Sequence, residues 1–350
     1  MRRALVSVLL LSSTVAAADT SSDVTVTLTP QGDALALGLG KTSADISDQI
    51  KKQVVAAYQT ADIGGVLRSF TDATSFSNRG LGVDYASASN DFMIGIAGNV
   101  AVSTPDVLSA SSYPTNTTSC SSCVGGGAAN FGLMLGGNLK GLGLPRWMLF
   151  GNGFYESAST DKLAGHLTSA GAHLQYRLFE PQADHGAEAV VLRWIGLDLT
   201  SGLEYTRWTL GLKDALTNDY TVGNGTQTTA VSVASQGQFD LTSNTLTIPV
   251  EASTGFRILE LVSVYVGGGI DFTAGKSSIN AHLDGPATTA DGTTIGDVKI
   301  TATGSNTGSP AAFRALAGAQ LNLWRLKIFA QGNLSQSSTA SVSFGVRLLL

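Results

Sequence analysis

The chain has 350 residues, 43% of them hydrophobic and only 13% charged, where an average soluble domain carries about 25% charged residues. A disordered chain, which combines low hydrophobicity with high charge, is excluded. A net charge of −5 leaves no basic excess to neutralise phosphates, so no nucleic-acid partner is expected.

Residues 1–18 read as a secretory signal peptide: Arg2 and Arg3 give the positive start, Ala4 to Val15 the short apolar stretch, and Ala16-Ala17-Ala18 the small-residue cleavage site. Cleavage near Ala18 leaves Asp19 as the first mature residue. No later stretch approaches the roughly 18 uninterrupted apolar residues of a membrane-spanning helix. An exported chain of this kind is either a secreted all-β protein or a transmembrane β-barrel.

Residues 19–90 form an N-terminal segment with an amphipathic helix. Over Ser43 to Gln59, Ile46, Ile50, Val54 and Tyr58 recur every fourth residue, with Val55 beside them, which is a helical stripe. Ser43 is the expected N-cap, with Asp45 and Asp48 near the positive end of the dipole. A weaker helical stretch runs from about 61 to 72. The apolar stripe needs cover. The expectation is that residues 43–75 plug or line a barrel lumen; the alternative is docking at the mouth or on the membrane surface.

From residue 91 to 350 the period is two. Strands are expected at 91–103, 130–142, 146–156, 163–179, 193–212, 244–258, 261–276, 311–324, 325–335 and 340–350. In each, Leu, Ile, Val or Phe alternate with Gly, Ala, Ser, Asn and Gln, so each strand has one apolar face and one small or polar face. The second face lacks the Lys and Glu density of a solvated surface, which suits a lumen whose opposite face meets lipid. The expected fold is an all-β, antiparallel, up-and-down transmembrane β-barrel of about 10 strands, or 12 if another hairpin lies within 213–243 or 277–310. Connections alternate between long (104–129, 213–243, 277–310) and short, and Trp147, Trp194 and Trp324 fall beside short ones. Cys120 and Cys123 lie in the first long loop and are expected to form a local disulfide.

Together with the signal, residues 91–350 resemble bacterial outer-membrane β-barrel proteins as a broad class. The final stretch, Ser341 to Leu350, is similar to the terminal strand read by the barrel assembly machinery, although Leu350 stands where that class usually has an aromatic residue. The resemblance implies the outer membrane of a Gram-negative bacterium, with membrane lipid and the assembly machinery as partners. The N-terminal segment gives an architectural likeness to the long-chain fatty-acid channels, which carry a hatch.

The expected lumen-facing polar residues are Lys140, Arg177, Asp198, Glu204, Glu251, Arg257, Asp271, Arg314, Lys327 and Arg347. Their mixed signs argue against a strongly ion-selective pore and fit either mutual pairing or a polar path for small solutes. No catalytic site, metal site or cofactor is expected: the four histidines include only one, His173, on the lumen face, and no G-x-S-x-G elbow occurs. Two readings follow. The first is a passive channel or transporter for small or apolar solutes, favoured by an inner face poor in large residues. The second is a non-conducting surface protein, an adhesin or structural anchor, whose outer loops bind an external partner.

Overall fold

A computed structural model describes residues 19–59, 62–86, 92–104, 125–181 and 191–350. The signal, its cleavage site at Ala18, and the pair Cys120 and Cys123 lie outside the described residues. In chain order the elements are β1 (Asp19–Leu28), α1 (Pro30–Gly38), α2 (Ser43–Gln59), α3 (Ile63–Phe76), β2 (Met93–Ser103), β3 (Gly126–Leu139), β4 (Leu144–Ser159), β5 (Leu163–Phe179), β6 (Leu192–Gly223), β7 (Thr228–Ile258), β8 (Val262–Thr289), β9 (Thr294–Thr307), β10 (Ala311–Leu323), β11 (Leu326–Ser335) and β12 (Thr339–Leu349). Every strand pairing is antiparallel. Met93 of β2 pairs with Leu349 of β12, and β8 pairs with both β7 and β10, so ten strands, β2–β8 and β10–β12, close a ring. Closure removes the open edges that a membrane span cannot tolerate.

The ten expected strands are the ten strands of this ring. Their alternate residues point outward into a continuous apolar belt, in which Leu133, Leu135, Leu199, Leu203, Val266, Val342 and Phe344 are all exposed. Water would not leave such a surface bare; lipid does. One end of the ring has short connections. Lys140–Leu142 form a single 3-10 turn, and Leu259 (φ 51°) with Glu260 (φ 56°) make the left-handed two-residue turn that suits twisted hairpins. Arg193 and Arg257 hold the Glu260 carboxylate at 3.3 and 3.1 Å. Trp147, Trp194 and Trp324 all lie at this turn end, as do Met93 and Leu349.

At the other end the structure departs from expectation. Residues 213–243 and 277–310 are not loops. The β6–β7 hairpin continues to its tip at 224–227, and β8 runs on to Thr289 and returns as β9. Strand β1 then pairs along β9, with Val24 opposite Ile300. The ring therefore carries a five-stranded extension in the order β6-β7-β8-β9-β1. The hairpins that the twelve-strand alternative allows within 213–243 and 277–310 are present, outside the ring, whereas β1 is not among the expected strands.

The face pattern explains both the extension and its concealment. In β6 the even-numbered side chains face inward. Within the ring these are Asp198, Thr200, Glu204 and Thr206; in the extension they are Tyr220 and Val222, and all are buried. The odd-numbered side chains change the opposite way, from exposed Leu199, Leu203 and Tyr205 to exposed Lys213, Thr217 and Asp219. The strand keeps its register while its apolar face switches sides. That switch marks where the lipid ends.

Helices α1 and α2 cover the apolar inner face of the extension. Ile46, Ile50 and Val54 are fully buried there against Val24, Val222, Val231, Leu283 and Ile300. The apolar stripe of Ser43–Gln59 thus packs on the extension rather than in the lumen. The Tyr58 side chain lies outside the described residues. The cap of α2 is Thr42, not Ser43. Thr42 Oγ1 accepts from Asp45 N at 3.2 Å, while Asp45 Oδ2 accepts from Thr42 N at 2.9 Å, a reciprocal capping box. Ser43 Oγ instead donates to Asp33 at 2.5 Å. Gln49 and Gln53, one turn apart on α2, reach the free edge of β6. Each side-chain amide both donates to and accepts from one backbone unit, Gln49 with Gly223 and Gln53 with Thr221. Two glutamines thus replace a neighbouring strand.

Candidate functional site

The lumen is occupied by the chain itself. Helix α3 starts at Asp62, whose carboxylate accepts from Gly65 N at 2.8 Å, and it ends at Phe76, four residues beyond the expected stretch. It enters from the extension side, and its Ala73 and Phe76 pack on Ala101 of β2 and Ala128 of β3. Glycine makes this approach possible: a Cβ on Gly126 would collide with the α3 backbone at Ser69 and Phe70. Asp72 accepts from Ser309 N at 2.6 Å and Ser309 Oγ at 3.0 Å, which ties the helix to the strand-side wall.

Residues 77–86 continue through the lumen without regular structure, and all ten are buried. Gly80 (φ 77°) and Gly82 (φ 93°) take the left-handed turns that steer this segment. At its far end the Ala86 carbonyl accepts from Arg257 Nη2 at 3.2 Å, and Arg257 also holds Glu260 in the β7–β8 turn. The chain therefore threads the barrel from the extension end to the turn end before β2 begins.

Nine of the ten expected lumen residues are buried on the inner face; Lys140 is not. It lies exposed in the 3-10 turn, because the strand ends at Leu139 and the period-two register stops with it. All of the others but Lys327 form ion pairs, and the threading segment supplies partners that sequence reading missed. Arg79 Nη1 lies 2.5 Å from Glu204 Oε2, and its Nε lies 3.1 Å from Asp271 Oδ2. Arg314 reaches the same Asp271 oxygen at 3.1 Å and also pairs with Glu251. Two guanidiniums thus face three carboxylates in one buried cluster. Nearer the turn end, Arg347 Nη1 lies 3.1 Å from Asp84 Oδ1, and its Nη2 donates to the Val83 carbonyl at 2.6 Å. Arg177 pairs with Asp198 on the wall at 3.2 Å. Lys327 sits beside Arg347 in the β11–β12 register.

Neutral groups complete the packing. Asn78 Nδ2 donates to Thr206 Oγ1 at 2.5 Å, and Asn78 Oδ1 accepts from Asn130 at 2.6 Å. Tyr85 stacks on Tyr265 with centroids 5.6 Å apart. His173 is buried with Nε2 3.6 Å from Glu204 Oε1. The gaps between Arg79, Tyr85, His173, Glu204 and Arg314 are too narrow for a water molecule. The sequence signal for this arrangement was a polar, glycine-interrupted run carrying Arg79 and Asp84 between a helix and the first strand.

A family model described as Lsa36-like matches residues 22–349. No curated protein matches the chain. Among solved structures, the transport unit of the autotransporter AIDA-I from Escherichia coli is similar at 9% identity, covering 82% of this chain and 99% of that one, with a TM-score of 0.32. The attachment invasion locus protein Ail of Yersinia pestis is similar at 12% identity over 74% and 96%, TM-score 0.23. A FadL homologue of Pseudomonas aeruginosa is similar at 8% identity over 80% and 97%, TM-score 0.24. At these scores the likeness assigns no function and no residue roles. The family match spans nearly the whole chain, and the chain belongs to the Lsa36-like family.

Proposed function

We propose that this member of the Lsa36-like family is a non-conducting anchor in the outer membrane of a Gram-negative bacterium, with its barrel holding the five-stranded extension and helices α1 and α2 outside the lipid. The observation that carries this reading is the threading segment, buried over residues 77–86 and ion-paired to the wall through Arg79 and Asp84. The inner face is poor in large residues because α3 and this segment fill the space, so the feature that favoured a channel supports a plug instead. Short turns of outer-membrane barrels lie on the periplasmic side; on this reading the extension faces the cell exterior and is the surface offered to an external partner.

The test is electrical. The purified full chain, inserted in a planar bilayer, is expected to show no discrete current steps. Regular steps from the unmodified protein would overturn the anchor reading and support solute passage.

A further inference from the structure

The lipid-facing wall is not smooth. A groove of about 810 Å³ crosses the outer face of β5 to β8. Its floor is made of small outward residues: Ser201, Ala252 and Gly268, the last two being direct cross-strand partners. Longer outward side chains, among them Leu174, Leu199, Val250 and Phe272, stand around these small residues and wall the depression. Its exposed lining, Ile270 included, is mostly apolar. At one end the groove reaches the turn-end interface at Trp147 and Tyr176, whose rings lie 4.8 Å apart.

Beside those rings, two charges stand together. Arg146 Nε lies 3.1 Å from Glu180 Oε1, and both side chains are half exposed. Arg146 directly precedes Trp147 in the chain, which places the charged pair next to the groove's aromatic end.

We propose that this groove binds a bilayer phospholipid with an ethanolamine headgroup: one acyl chain lies over Ser201, Ala252 and Gly268, the phosphate meets Arg146, and the ammonium meets Glu180. Charge complementarity selects the occupant. An anionic headgroup would satisfy Arg146 but be repelled by Glu180. A choline headgroup carries the right charges, yet its quaternary nitrogen has no N–H to donate to the carboxylate. A primary ammonium meets both needs. The proposal concerns the outer wall and is independent of whether the lumen conducts.

The experiment uses the full chain in detergent with Trp147 as its only tryptophan (Trp194→Phe, Trp208→Phe, Trp324→Phe). Phospholipids with brominated acyl chains and ethanolamine, choline or glycerol headgroups are titrated, and quenching of Trp147 is followed. The ethanolamine lipid is expected to reach half-quenching at about three- to tenfold lower mole fraction than the other two, the range for two exposed charge contacts. Ser201→Leu with Ala252→Leu, which fills the floor while keeping it apolar, is expected to abolish that preference. Arg146→Gln with Glu180→Gln changes only exposed side chains and is expected to equalise the three headgroups. Equal quenching by all three lipids in the unmodified groove, or a preference that survives either double variant, would overturn the proposal.

Discussion

Arg79 is the residue on which the plug's attachment turns. Arg79→Met keeps an unbranched apolar stem and removes the guanidinium, which leaves Glu204 buried beside His173 with no cation in contact. Removing one partner of a buried ion pair costs about 3–5 kcal/mol, chiefly because the remaining charge is stranded. At about 1.4 kcal/mol per tenfold, that raises the released population of residues 77–86 by roughly two to three and a half decades. Asp271 stays paired with Arg314, so the loss falls mainly on Glu204. Pairing Arg79→Met with Glu204→Gln removes the stranded charge and is expected to restore most of the lost stability. Two readings in the same preparations check this: hydrogen exchange of the backbone amides over 77–86, and current across a planar bilayer. The single variant should exchange faster and show intermittent current; the double variant should resemble the unmodified protein. If the single variant stays as protected and as silent as the original, or if the double variant leaks as much as the single, the ion-pair account of the plug is wrong.

Ile50→Ala in α2 should destabilise the outer unit by about 2–5 kcal/mol, as for other fully buried isoleucines; limited proteolysis should cut residues 19–59 sooner, while the electrophoretic shift of the folded barrel on heating is unchanged. Gln49→Leu and Gln53→Leu should each cost about 1 kcal/mol for the lost edge hydrogen bonds, with faster amide exchange confined to Gly223 and Thr221. Hydrogen bonds from the Thr42 backbone and side chain hold the Asp45 carboxyl below its usual value of 3.8. A carboxyl depressed in the folded state stabilises above its unfolded pKa and loses that contribution as pH falls through the folded one, so α2 should loosen only below about pH 3.8. Exchange of the first-turn amides of α2 against pH should show this, and Asp45→Asn should remove the pH dependence.

The ring was legible because lipid imposes one rule on every strand. The 91–103 and 163–179 segments correspond to Met93–Ser103 and Leu163–Phe179 almost residue for residue. The inner charges were legible for the same reason, and Lys140 failed where the rule ran out at a turn. The extension escaped because it obeys the rule with the faces exchanged: Tyr220, Val222, Val231 and Val233 alternate cleanly, but among Thr, Asn and Gly that read as loop. Strand β1 offered only Val24, Val26 and Leu28 as a pattern, too short to separate from chance. The threading segment has no period at all. Its conformation is set by Arg79, Asp84 and the two left-handed glycines meeting a wall assembled from distant strands, and no local window contains that wall.

The unbroken register of β6 through the change of surroundings makes an arithmetic demand on the gene. One codon added between Thr206 and Tyr220 would swing Tyr220 and Val222 into solvent and bring Lys213 or Asp219 beneath α2. Two codons would merely move the outer unit farther from the membrane. Relatives of this protein should therefore differ in reach by even numbers of residues in these strands, and odd differences should coincide with a compensating bulge.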